Sequence, residues 1–239
     1  MRIVSWNLGH QTRELPFKPL FQDAVTALRP DVLVLNEYVH GTTRASFVSW
    51  LGELGLKNHE VSTRQGTQNQ ILIASRSRLE CGDLIGPSSE GGGGQSNFLH
   101  VKLPEVGVEI VGLRVPAYEQ KAYLTEFWQR LIAVITSAAD RPIMFIGDFN
   151  ADPDGQYHTG SKQFAALRVS GWQLPSPTGT RSFKSGTRID HAVASVSFGA
   201  IHAAYVEEVN GISLCGLSSQ AISDHAPIVV ELAHGAPIS

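Results

Sequence analysis

Two cysteines in 239 residues, Cys81 and Cys215, are too few for a disulfide framework, and neither has a second Cys or a His at zinc-ligand spacing. A disulfide-stapled secreted module and a structural zinc site are therefore excluded, and a reducing compartment, the cytoplasm, is expected. No window approaches the roughly 18 to 20 unbroken apolar residues of a membrane span. The opening MRIVSWNLGH has neither the long apolar run nor the small-residue cleavage site of a signal peptide. Positive charge is not in excess: 19 Lys and Arg stand against 22 Asp and Glu, for a net charge of −3. That balance argues against coating nucleic acid by bulk charge, but it leaves room for a basic rim beside an acidic site. No repeat of solenoid length is present, and nothing calls for a membrane or an obligate protein partner.

What is present suffices for a large core: 42% of the residues are apolar. Residues 1–233 read as one domain, with 234–239 as a short flexible tail. Strands are predicted at Arg2 to Trp6, Asp31 to Glu37, Asn69 to Arg76, Phe98 to Leu103, Val108 to Val115 and Pro142 to Asn150. Three more are predicted at Arg188 to Ala194, Ala203 to Val209 and Ala226 to Leu232. Helices are predicted at Leu20 to Leu28, Thr42 to Leu56 and Ser161 to Val169. Leu124, Phe127, Trp128, Leu131, Ile132 and Ile135 form one broad apolar helical stripe. Many strands, with helices that are apolar on one face only, suggest two packed sheets with helices outside. GPSSEGGGGQS contains Gly91 to Gly94, but no Lys-Ser/Thr pair or helix start follows, so it reads as a mobile surface loop and not a phosphate-binding loop.

Several apolar strands end in hard oxygen ligands or an imidazole. Asn7 follows IVSW, Glu37 follows VLVLN, and Asp148 and Asn150 follow IMFIG. Asp190 and His191 follow RI, and Asp224 and His225 precede APIVVEL. Strand alternation is expected to place Asp148 and Asn150 on one face, with Phe149 turned into packing. Asp152 and Asp154 sit in a Pro/Gly turn and read as turn formers. A rigid scaffold can hold mutually repelling charges at several strand ends. Such a set suits Mg²⁺ or Mn²⁺, and beside an Asp-His pair it suits phosphate ester hydrolysis.

SWN, NE, GDFN, RIDH and SDH, in that order from Arg2 to Leu232, resemble the endonuclease/exonuclease/phosphatase superfamily. The resemblance implies an α+β, four-layered αββα sandwich with the active site at one end of two mixed sheets. It implies Glu37 as the principal metal-binding carboxylate, Asn7 as a ligand or orienting amide, and Asp224 as a second metal-side or water-side carboxylate. Asp148 resembles the residue that deprotonates water, Asn150 the amide that binds a phosphate oxygen, and His225 the histidine at the scissile phosphate, oriented by Asp190.

This chain departs from the family's pattern in two places. The acid that many nuclease members carry two residues after the first Asn is missing, because Asn7 is followed by Leu8 and Gly9. Arg114, in LRVPAY, stands where Tyr or His is common; it is either a phosphate clamp or a salt-bridged strand residue. The loop Thr178 to Asp190 gathers Arg181, Lys184 and Arg188 around Phe183, a cluster that could grip a phosphate backbone or lie in solvent. His10, His40 and Arg44 are candidates for the same rim. The resulting expectation is a metal-dependent nuclease. A phosphatase or diesterase of a small or lipid phosphate is the alternative, and a non-catalytic scaffold the remote one.

Overall fold

The computed structural model describes residues 1–9, 17–66, 68–88, 94–117, 120–155, 159–218 and 220–233. The expected tail 234–239, His10 and Gly91 to Gly93 lie outside the described residues.

A six-stranded sheet runs in the order β10 (Ile201–Tyr205), β13 (Ile228–Leu232), β1 (Arg2–Asn7), β2 (Val32–Tyr38), β4 (Gln70–Ser75), β3 (Asn58–Val61). A five-stranded sheet runs β5 (Glu80–Cys81), β6 (Phe98–Leu103), β7 (Val108–Arg114), β8 (Ile143–Asp148), β9 (Asp190–Ala194). The pairs β1/β2 and β7/β8 are parallel and the other pairs within these sheets are antiparallel. Parallel neighbours need a long crossover. Accordingly α1 (Phe21–Leu28) connects β1 to β2, and α3 (Lys121–Ser137) connects β7 to β8. Two further helices, α2 (Ala45–Glu53) and α4 (Ser161–Val169), complete the outer layers.

Three apolar clusters give the layers their order. Ile3, Val34, Ile73, Ile110, Met144 and Ile146 meet between the sheets. Trp6, Leu33, Leu35 and Leu72, on the other face of the first sheet, receive Phe21, Leu28 and Phe47 from α1 and α2. Phe145, Val111 and Val193, on the outer face of the second sheet, receive Trp128, Leu131 and Phe164 from α3 and α4. The result is the expected αββα sandwich. Strands covered on both faces read as continuous apolar runs, which is why β2 and β8 are buried along their whole length.

The departures from expectation are local. The helix expected from Thr42 begins as a 3₁₀ turn at Thr42–Arg44 before α2. The strand expected at Ala203 to Val209 breaks after Tyr205, and Glu208–Val209 (β11) forms a separate ribbon with Ile212–Ser213 (β12). The edge strand β3, NHEV, is half-buried and carries no apolar alternation to announce it. Both cysteines are free thiols, but Cys81 is exposed on β5 and only Cys215 is buried. Among the described residues no helix is long and apolar enough to cross a membrane.

Candidate active site

Side chains two apart on a strand share a face. On the face of each sheet that meets the other, the sequences therefore run Ile3, Ser5, Asn7 on β1; Val32, Val34, Asn36 on β2; and Ile110, Gly112, Arg114 on β7. On β8 they run Met144, Ile146, Asp148, and on β9, in reverse, Ala194, Ala192, Asp190. The aliphatic members belong to the inter-sheet core. Each row ends polar at the same edge of the sandwich. Strand register then sets the polar residues side by side: Asn7 opposite Asn36, Arg114 opposite Asp148, and Asp148 opposite Asp190. Gly147 has φ 148°, and a Cβ there would stand 2.0 Å from the Leu113 carbonyl oxygen, so only glycine lets β8 close against β7 beside Asp148.

Glu37 reaches this edge through an irregularity. The register of β2 on β4 shifts between Leu35 and Tyr38, and Glu37 has φ 57°, a left-handed backbone uncommon for a residue with a side chain. Its Oε1 stands 2.8 Å from Arg114 Nε, and Asn7 Nδ2 donates to the same oxygen at 3.4 Å. Asn7 Nδ2 also donates to Asp148 Oδ2 at 3.0 Å, while Asn7 Oδ1 accepts from Gly9 N. Asn7 thus turns its nitrogen to the two carboxylates.

Asp148 is fully enclosed. Its Oδ1 accepts from Asn150 N at 2.8 Å, and its Oδ2 accepts from Asn150 Nδ2 at 3.2 Å. Burial and the neighbouring Asp190 charge push its pKa up to about 6, against the opposing charges of His225 and Arg114. The expected strand alternation through Asn150 does not occur. The strand stops at Asp148, and Asn150 has φ 47° and sends its amide nitrogen to the Val115 carbonyl at 2.6 Å. Both of its amide donations are taken, one by Val115 O and one by Asp148 Oδ2, so Asn150 holds Asp148 in place. Phe149 does turn away, against Trp128 and Phe164.

On the other flank, His225 Nδ1 and Asp190 Oδ2 are 2.9 Å apart and both side chains are buried. Burial alone would depress the imidazole pKa, but the Asp190 carboxylate, with Asp148 and Asp224, raises it to about 9. Around this pair stand polar residues that sequence reasoning missed. Ser182 Oγ accepts from Ile189 N and Asp190 N, Tyr205 Oη donates to Asp190 O, and Ser223 Oγ donates to Asn7 O while accepting from His225 N. Ser223 carried a signal, standing in SDH; Ser182 and Tyr205 carried none.

The remaining candidates divide. Phe183 comes to the site, its ring centroid 4.8 Å from that of His225. Asp224 pairs with Lys184 at 3.1 Å, and despite burial its pKa is lowered by Lys184 and His225. Gly9 has φ 71°, and a Cβ there would meet Asp224 Oδ1 at 2.8 Å, so the missing acid near the first Asn leaves room for Asp224. Arg181 is engaged by Glu207 at 2.9 Å. The Arg188 guanidinium bonds the carbonyls of Thr180 and Gly179 and lines a small hollow with Pro153 and Asp154. Glu207, from the segment after β10, holds Arg181, and carbonyls of its own loop hold Arg188. Arg44 is buried, its guanidinium 4.2 Å from the Phe17 ring centroid, and exposed His40 meets Tyr38 Oη through Nδ1 at 3.3 Å. Asp152 accepts from Asp154 N, as a turn former does. Buried His191 bonds the carbonyls of Ala151 and Arg188, and burial lowers its pKa.

The donor chemistry fits a hard divalent cation. Glu37 and Asp148 bring carboxylate oxygens, and Asp224 Oδ1 is buried without a hydrogen-bond partner. Burial pushes the Cys215 thiol up to about 11, so it stays protonated and outside the donor set. Among the described residues no three His, Cys, Asp or Glu side chains converge into one cage. A cation held by Glu37 would complete its shell from water and phosphate oxygens, as Mg²⁺ commonly does.

The model of the Endonuclease/Exonuclease/phosphatase family matches residues 4–225. An AP endonuclease from Archaeoglobus fulgidus superposes with a TM-score of 0.72 at 17% identity, over 97% of this chain and 99% of that one. A 3′-5′ exonuclease from Neisseria meningitidis gives 0.69 at 19%, over 97% and 99%. The beta toxin of Staphylococcus aureus gives 0.65 at 12%, also over 97% and 99%. At these identities the likeness is one of fold. Comparison with curated protein sequences found no match.

Proposed function

The chain belongs to the endonuclease/exonuclease/phosphatase family, and we propose that it is a divalent-metal-dependent phosphodiesterase that cleaves nucleic acid by in-line attack of water. The observation that carries this reading is geometric: Asp148, held by Asn7 and Asn150, and His225, paired with Asp190 at 2.9 Å, stand with Glu37 at one edge of the sandwich, so a carboxylate base and an imidazole serve one site.

In this reading Asp148, held by Asn7 and Asn150, accepts a proton from the attacking water. Asp190 accepts a hydrogen bond from His225 Nδ1–H and keeps its charge, so the ring presents its second N–H, at Nε2, to a phosphate oxygen as negative charge builds there. Glu37 is the residue that holds the cation, Mg²⁺ or Mn²⁺, with Asp148 alongside. When bound, the cation supplies positive charge that offsets the phosphate's and so lowers the barrier to attack by an anion or water.

Nucleic acid is favoured as the substrate because two of the compared folds are a named AP endonuclease and a named exonuclease, and because Phe183 lies beside His225 where a base can stack. A small-molecule or lipid phosphate is the second reading. The net charge of −3 and the engagement of Arg181 by Glu207 and of Arg188 by carbonyls of its own loop favour it. Purified protein should be assayed with Mg²⁺ and Mn²⁺ against single- and double-stranded DNA, RNA, inositol phosphates and a generic diester. Cleavage of a polynucleotide with steeply salt-dependent KM supports the nuclease reading. Turnover of the small esters alone refutes it.

A further inference from the structure

The edge of the sandwich brings together four carboxylates, and three of them already have a cation. Asp190 has His225 at 2.9 Å, Asp224 has Lys184 at 3.1 Å, and Glu37 has Arg114 at 2.8 Å. The fourth, Asp148, shares Arg114, whose Nε stands 3.7 Å from Asp148 Oδ2. Arg114 is thus the positive charge between the two carboxylates best placed to hold a divalent cation. It arrives there from β7, on the opposite sheet from Glu37.

We propose that Arg114 is a built-in competitor for the catalytic cation: it neutralises Glu37 in the metal-free protein, and the cation must displace it from that carboxylate. The inference rests on Glu37 being the metal-holding residue. One observation and one physical argument carry it. The Arg114 side chain is only 18% exposed, so its charge is poorly screened and its attraction to Glu37 is stronger than that of a surface pair. A divalent ion and a guanidinium cannot approach one carboxylate oxygen together without strong like-charge repulsion at low effective dielectric.

Displacement has a second consequence. The guanidinium has five N–H donors, and phosphate is the bidentate acceptor it matches best. Once off Glu37 it can engage the substrate phosphate, so cation and substrate should bind cooperatively, each offering a partner to what the other frees.

The test is Mn²⁺ binding in the absence of substrate, read by loss of the free-ion electron paramagnetic resonance signal and by isothermal titration. Wild type is compared with Arg114→Gln and Arg114→Met. The expected result is tighter Mn²⁺ binding by about tenfold in both variants, together with a raised KM for substrate at saturating metal. Equal or weaker Mn²⁺ binding in folded variants overturns the competition while leaving the hydrolase reading intact. No Mn²⁺ binding to wild type or either variant overturns the metal-dependent reading itself. Should both variants fail to fold, the Arg114 Nε–H resonance in wild-type protein serves instead. It should shift on titration with Mg²⁺ alone, and an unmoved resonance at saturating Mg²⁺ refutes displacement.

Discussion

Asp190 and His225 lie 35 positions apart in sequence and 2.9 Å apart in space, both nearly sealed from solvent. A strand end supplies the carboxylate, and the segment entering the last strand supplies the ring. The pairing fixes the tautomer, because only a protonated Nδ1 can donate to the carboxylate. Replacing Asp190 with Asn should lower kcat on the order of a hundredfold. It should also shift the basic limb of the pH profile toward lower pH, since the charge that raises the His225 pKa is gone. An unmoved basic limb in that variant would count against the pairing as the source of the shift.

The pH dependence follows from the two shifted groups. Asp148 must be ionised, so activity rises as pH passes about 6; His225 must be protonated, so activity falls as pH passes about 9. A bound cation favours the ionised carboxylate and should move the acidic limb lower. The His225 shift also links to stability. Its folded pKa lies above the unfolded value of 6.5, so the stabilisation is fully present below about 6.5 and is lost as pH rises through about 9. Thermal melts of metal-free protein between neutral pH and pH about 10 should show that fall, and His225→Gln should flatten it.

Asp148→Asn removes the proton acceptor while preserving shape. Turnover should drop by about a thousandfold or more, with substrate binding retained. A stability gain is expected in the same variant, because a buried carboxylate with a raised pKa gives way to a neutral amide. Equilibrium urea unfolding measures it, and a variant both active and unchanged in stability would remove Asp148 from its assigned role.

Gly147→Ala places a methyl 2.0 Å from a backbone carbonyl at a φ of 148°. About 3 kcal/mol or more of destabilisation is expected in urea melts. If the variant remains folded, activity should fall as well, since Asp148 moves with the strand end.

Much of this arrangement is legible in the sequence because it obeys period two. The apolar residues of β1, β7, β8 and β9 alternate up to a polar terminus, and GDFN and SDH carry recognisable chemistry. The illegible parts are those that break the period or depend on a distant partner. Glu37 follows Asn36 directly and reaches the same edge only through a shift in register, and Asn150 does so through a left-handed turn. Arg181 and Arg188 looked available because composition shows charge and not acceptors. Their acceptors, Glu207 and the carbonyls of Gly179 and Thr180, emerge only once the loop is folded. For Arg114 the sequence left a clamp and a salt bridge equally open, and its meeting with Glu37 across two sheets is a contact that no sequence pattern announces.

The bond from the Trp6 indole nitrogen to the His225 carbonyl, 2.8 Å long, ties the first strand to the last polar segment. During synthesis the chain therefore carries Asn7, Glu37, Arg114 and Asp148 out of the ribosome well before the imidazole and its anchor exist. A nascent chain stalled before Ser223 has the acidic half of the site without its imidazole, and β1 lacks the partner β13 on one edge. The imidazole joins the acidic half of the site only when β13 pairs with β1, so the contact between these two strands is what completes the constellation.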